Sequence, residues 1–238
     1  MKNFLIRMML LTLIATACSP MQITNESPAD ENDSTVPPVD TEQALDPIEE
    51  PVVKRLAENL GLDESDIAVV SNETVEFSDG CLGITMPDVK CPQVVTPGRI
   101  IILEANGIQY EYHTDVSGRR VQPATLAITW KREGGIAGFC DKMMVFLSGE
   151  VYGYNCKTES DAKIDTFAKL LSASERAQFN EWMTEFDQIT LDASDPRGVS
   201  DRMEVVLEFY GLGSKEPSDV EQQEVFAWAQ DLFQKLYS

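Results

Sequence analysis

Beyond the first fifty residues, the apolar positions follow two rhythms, and each predicts an element. Val53, Leu56, Ala57 and Leu60 recur at helical spacing, and Gly61 closes the run as a residue that readily takes positive φ. Ile67 to Ser71 and Glu73 to Ser78 read as two strands. A loop with Asp79, Gly80, Cys81, Pro87, Cys91, Pro92 and Pro97 follows, and its prolines make it a rigid excursion. Arg99 to Glu104 and Ile108 to Thr114 are β-rich runs joined by Ala105-Asn106-Gly107, where Asn-Gly is a strong hairpin signal. In the second run Ile108, Tyr110 and Tyr112 alternate with Gln109, Glu111 and His113. This puts the tyrosines on one face and turns His113 toward solvent.

From Ala124 the same reading continues. Leu126, Ile128 and Trp130 alternate as a strand, and Met143, Val145 and Leu147 form a second. Ser148-Gly149 is a turn, and Glu150 to Tyr154 is a third strand. Ser172 and Glu175 make a capping box ahead of Phe179, Trp182, Met183 and Phe186, which share one helical face. Met203, Val205, Leu207 and Phe209 alternate as a half-buried strand. Ser218 and Glu221 then cap a last helix with Val225, Ala229, Leu232, Phe233 and Leu236 as its apolar stripe. The predicted class is α+β: two small domains, 51–123 and 124–238, each an antiparallel sheet packed against one or two helices.

The first fifty residues carry a different pattern. Lys2 and Arg7 precede an apolar run from Met8 to Ile14, and small residues Ala15, Thr16 and Ala17 lead to Cys18. That run falls short of the roughly 20 residues a membrane-spanning helix needs, so 1–17 reads as a cleaved signal peptide. Ile14-Ala15-Thr16-Ala17-Cys18 resembles the lipobox of bacterial lipoproteins, with Ala15 where the family usually has leucine. The resemblance implies lipidation of Cys18. The segment to Glu50 holds five prolines, nine acidic residues and no lysine or arginine after Cys18. Such a composition predicts a disordered tether over 18–50.

Charge and cysteines narrow the setting. With 40 acidic against 19 basic residues the net charge is −21, which disfavours nucleic acid and anionic lipid as partners. Apart from Cys18 there are four cysteines. An even count in an exported chain implies disulfides, and of the three possible connectivities the local one is expected, Cys81 with Cys91 and Cys140 with Cys156. Their spacing, with His113 the sole histidine, does not suit zinc, and no metal or other cofactor is expected.

Two further resemblances concern the folded part. The helix followed by strands ending in Tyr110-Glu111-Tyr112-His113-Thr114-Asp115 and the Ser117-Gly118 turn is similar to PepSY-type domains, thought to restrain proteases. A generic helix-on-sheet domain accounts for the same layout. In the second region, Arg132-Glu133-Gly134-Gly135-Ile136-Ala137-Gly138-Phe139 and the order strand, glycine loop, strands, helix, strand, helix resemble the emfourin family of inhibitors of thermolysin-like zinc metalloproteases. Glu133 stands where that family commonly has serine, and the Cys140 and Cys156 pair is an addition.

The resemblance implies a tethered, monomeric, non-enzymatic inhibitor that blocks a metalloprotease cleft sterically, held at a membrane by its lipid. The alternative is a binding or scaffold lipoprotein of the cell envelope with no protease target. The candidate contact loop is Glu133, Gly134, Gly135, Ile136, Ala137, Gly138 and Phe139, whose glycines serve either a tight turn or a close approach to a partner. No catalytic residues are expected, since no motif surrounds any serine and His113 has no evident partner. Asp192, Asp195 and Asp201 share a polar loop but lack the alternating ligands of a calcium loop. Trp182 and Trp228 read as core.

Overall fold

The structure is a computed structural model that describes residues 45–86, 89–155 and 166–236. The signal peptide, Cys18 and the greater part of the expected tether lie outside the described residues. The tether was expected to reach Glu50, but residues 46–49 already take part in the fold. The Asp46 amide donates to Glu49 Oε2 at 3.0 Å and the Glu49 amide to Asp46 O at 2.7 Å, while Ile48 packs against the core. These bonds form the lead-in turn of the first helix, where otherwise unpartnered amides need acceptors.

Helix α1 (Glu50–Leu60) starts with a proline in its first turn and ends at Gly61, whose φ of 68° closes it. Strand β1 (Ala68–Phe77) is continuous, where two strands were expected. A register shift between Val69 and Ser71 places an extra residue there, so a bulge interrupts the alternation without ending the strand. Strands β2 (Thr96–Ala105) and β3 (Ile108–Asp115) meet at Asn106 (φ 53°) and Gly107 (φ 75°), the left-handed pair that a two-residue hairpin requires. Pro97, expected in the loop, pairs with Glu76 inside β2. Strand β4 (Val121–Pro123) completes an antiparallel sheet ordered β1-β2-β3-β4.

The second sheet is built from β5 (Leu126–Gly134), β6 (Phe139–Phe146), β7 (Glu150–Asn155), β8 (Thr166–Leu170), β9 (Ile189–Asp192) and β10 (Met203–Phe209). Its order is β8-β7-β6-β5-β10-β9, all antiparallel. Helices α2 (Ala173–Glu185) and α3 (Asp219–Lys235) both carry complete capping boxes, at Ser172 with Glu175 and at Ser218 with Glu221. The fold is α+β, two antiparallel sheets with three helices.

The two sheets are not separate in their packing. Ala44–Ser238 forms one compact unit, and buried side chains from α1, β2 and β3 join those of β5, β6, β7, β10, α2 and α3 in a single apolar cluster. A polar junction accompanies it. Arg55 of α1 donates through Nε to Glu150 Oε1 of β7 at 2.8 Å and through Nη2 to Tyr152 Oη at 3.3 Å, and Nη1 reaches the Val121 carbonyl. Ser148 Oγ donates to the other Glu150 oxygen at 2.8 Å. Burial alone would pull the Arg55 guanidinium down. The Glu150 carboxylate outweighs it and holds Arg55 above its ordinary value. The Tyr112 hydroxyl, wholly buried beside Ser148 and Asn59, has no hydrogen-bond partner of good geometry among the described residues, and burial with the nearby Glu150 charge raises its pKa.

Candidate functional site

The β5–β6 hairpin carries the sequence-predicted contact loop. Gly134 pairs with Phe139 at the end of the ladder, and the Gly138 amide donates to Gly135 O at 2.8 Å to close the turn. Gly134 (φ 84°), Gly135 (φ 70°) and Gly138 (φ 59°) all lie in the left-handed region. Space adds a second constraint at Gly134, where a Cβ would sit 2.4 Å from the Arg202 carbonyl oxygen. The glycines therefore make a tight turn. At its tip Ile136 is 93% exposed, an apolar side chain with almost nothing covering it.

The stem below this tip is held from two sides. Arg132 grips Asp141 across the hairpin, its Nε and Nη2 both on Oδ2 at 2.8 and 2.5 Å, and its guanidinium lies 3.9 Å over the Phe139 ring. Asp141 is buried, and Asn155 donates to its second oxygen at 2.8 Å. Charge-assisted bonds of this kind are among the stronger ones a strand pair makes. On the other side the β9–β10 loop supports the turn, with the Gly135 amide donating to Arg202 O at 3.1 Å.

That neighbouring loop holds the three aspartates considered for calcium. The Asp192 carboxylate accepts the Ser194 amide at 3.0 Å, and the Ser194 hydrogen bonds hold it below the usual carboxylate range. Asp195 accepts the Met203 amide at 2.9 Å, and Asp201 takes φ 59° in the turn. They shape the loop backbone and are not gathered into a cation-ligating cluster among the described residues. Asp79, Cys81 and Cys91 do lie close together, but the cysteines are bonded to each other, and Asp79 accepts the Cys81 and Gly83 amides at 2.8 and 3.1 Å.

The Cys81–Cys91 disulfide is present, with a Cα separation of 5.4 Å, and such a bond is the mark of an extracytoplasmic protein. Cys140 is also disulfide-bonded, and its expected partner Cys156 lies outside the described residues. No helix among the described residues is long and apolar enough to cross a membrane.

His113 is buried, contrary to the solvent-facing position that strand alternation predicts. The disulfide-bonded loop covers that face of the first sheet. Its Leu82 carbonyl lies 2.7 Å from Nδ1, Glu111 Oε1 lies 2.7 Å from Nε2, and the Phe77 ring stacks on the imidazole at 4.8 Å. Both neighbours are oxygen acceptors, one at each ring nitrogen. Trp182 is buried and Trp228 packs against it edge-on at 5.7 Å, as core residues.

One feature had no counterpart in the sequence reading. The face of the second sheet away from α2 and α3 carries Thr129, Lys131, Lys142, Met144, Glu204, Val206 and Glu208. Thr85 and Met86 of the disulfide-bonded loop lean over it to form a groove of about 630 Å³. Met86, Met144 and Val206 give it an apolar middle. Lys131 bonds Glu204 along one rim, raising the amine and lowering the carboxylate, and Lys142 bonds Glu133 at 3.2 Å. The alternation within β5, β6 and β10 marks these residues as the outward face, but only the fold shows that a distant loop overhangs them.

Residues 50–123 match the family described as Domain of unknown function (DUF8738), which spans α1 and the whole first sheet and carries no assigned activity. No curated protein and no solved structure matches the chain.

Proposed function

We propose that this protein is an extracytoplasmic, lipid-tethered inhibitor that blocks the cleft of a thermolysin-like metalloprotease with its β5–β6 hairpin. The observation that carries the reading is the combination at that hairpin of a fully presented apolar tip, Ile136, and a stem fixed by Arg132, Asp141 and Arg202. A preorganised loop loses little conformational entropy on entering a cleft, so its contacts convert efficiently into affinity. Ile136 offers an exposed apolar side chain to such a cleft. Blocking is steric and needs no covalent step.

The test is to titrate the chain from Ser19 onward against a thermolysin-like protease and follow peptide hydrolysis. Inhibition is expected at micromolar protein, and Ile136→Asp should weaken it at least tenfold, or about 1.4 kcal/mol. At so exposed a position the same substitution should leave stability within about 0.5 kcal/mol. Absence of inhibition, with proteases of the same cell envelope included, removes this reading. The groove over the second sheet favours a second one, a cell-envelope binding lipoprotein that holds a ligand between Met86 and Met144. Under that reading Met144→Lys abolishes binding, and Ile136→Asp has no effect.

A further inference from the structure

Among the described residues, four strands form the outer edges of the two sheets, and they differ in length. β4 has three residues, β9 four and β8 five, whereas β1 has ten. Short edge strands are a common protection against unwanted pairing, because an edge offers a row of unpaired backbone N–H and C=O groups. β1 lacks that protection. Its register with β2 is unbroken from Ser71 to Phe77, and no residue of the strand except Phe77 is buried. Among the described residues, its backbone makes hydrogen bonds only to β2. That run is about 23 Å long at strand rise, enough to seat an extended segment of six or seven residues.

The surroundings of β1 select the sign of what can pair there. From Leu56 to Val89 the chain has no lysine or arginine and eight acidic residues. Glu73 and Glu76 stand exposed on the strand itself, on its two opposite faces. The basic side chain nearest in register, Arg99 opposite Thr74, is already engaged by Asp46 at 3.3 Å and by Asn72 at 3.2 Å. Asn72 in turn donates to Glu49 at 2.8 Å, adding another carboxylate beside the edge. A second copy of this chain would bring carboxylates against carboxylates, and like charges across a strand pair are destabilising. The acidic stretch before α1 meets the same repulsion.

We infer that β1 is a docking edge for an extended, basic segment of a partner protein, which adds a fifth strand to the first sheet. Backbone hydrogen bonds supply the affinity, and Glu73 and Glu76 select lysine or arginine at two positions three residues apart, one on each face of the added strand. This surface does not depend on the β5–β6 hairpin, and the inhibitory reading can fail without affecting it.

Binding of three capped octapeptides to the chain from Ser19 onward tests the inference. One, the Lys-Val peptide, is Val-rich with Lys at two positions three residues apart, the second is the same peptide with every backbone amide N-methylated, and in the third, the Glu-Val peptide, Glu replaces both Lys. The Lys-Val peptide is expected to bind at least about tenfold more tightly than the other two and to slow amide hydrogen exchange within residues 71–77. Glu73→Lys with Glu76→Lys should reverse the preference between the Lys-Val and Glu-Val peptides, with thermal unfolding unchanged. Equal binding of the N-methylated peptide, which has the charge but no backbone donors, overturns the inference in favour of surface attraction alone. So does an absence of Lys-Val binding at millimolar peptide, or a dimer of the chain that the double substitution dissociates.

Discussion

The two sheets cover their second faces in different ways. In the first, α1 packs on the face that carries Tyr110 and Tyr112, and a disulfide-bonded loop closes over the opposite face, with Leu82 and Phe77 enclosing His113. In the second, α2 and α3 supply the apolar layer, and the opposite face carries no helix, with Lys131, Lys142, Glu204 and Glu208 set around Met144 and Val206. A loop can replace a helical layer only if its own freedom is restricted, and Cys81–Cys91 with the Asp79 bonds to the Cys81 and Gly83 amides does that. The same loop then overhangs that face of its neighbour. A covering element in one region thus becomes the wall of a groove in the other.

The largest expected effect tests whether the regions behave as one. Glu150→Ala leaves Arg55 partly buried without its carboxylate and removes the acceptor of Ser148. It should cost about 3 to 5 kcal/mol, as breaking a buried ion pair does. Urea unfolding should remain a single transition with a lower midpoint. Two resolved transitions would show that the sheets unfold independently despite their shared core.

Next in size is the loop. Cys81→Ser with Cys91→Ser should cost about 2 to 4 kcal/mol and should raise hydrogen exchange around His113 well before it affects α2 or α3. Equal effects in both regions would mean that the loop braces the second sheet as strongly as it covers the first.

The smallest effect is a pH dependence at the helix caps of the second region. Burial would raise the Glu175 carboxyl, but the Ser172 hydroxyl and amide, with Lys169 and Lys235 nearby, outweigh it and lower it from the ordinary 4.5 to about 2. A carboxylate depressed in the folded state contributes stability at neutral pH. That contribution fades as the pH falls from about 4.5 through about 2. Glu175→Gln should flatten that limb of the stability curve, and an unchanged acid limb would assign it to other carboxylates. α1 has no side-chain cap, so the first region has no counterpart to this device.

Sequence reading served best where the physics is local. Ser172 with Glu175, Ser218 with Glu221, and Asn106-Gly107 each fix a helix start or a hairpin through bonds and dihedrals within three or four residues, and all three stand as expected. The glycine turn before Phe139 was legible for the same reason. Reading failed where a partner decides the outcome. β8 and β9 are short edge strands that exist because β7 and β10 offer them a ladder, and the bulge that keeps β1 whole forms against β2.

By itself, then, the sequence determined the α+β class, the helix caps, the hairpin turns and the apolar face of β5, β6 and β10, because these follow from nearest neighbours along the chain. Only the tertiary structure decided that His113 is buried, that Arg55 meets Glu150 from 95 positions away, that the Arg202 carbonyl forbids a side chain at Gly134, and that β1 remains an open edge. Each of those outcomes depends on which distant segment lies against a given face, and hydrophobic burial, being without direction, encodes the need for a cover but not its source.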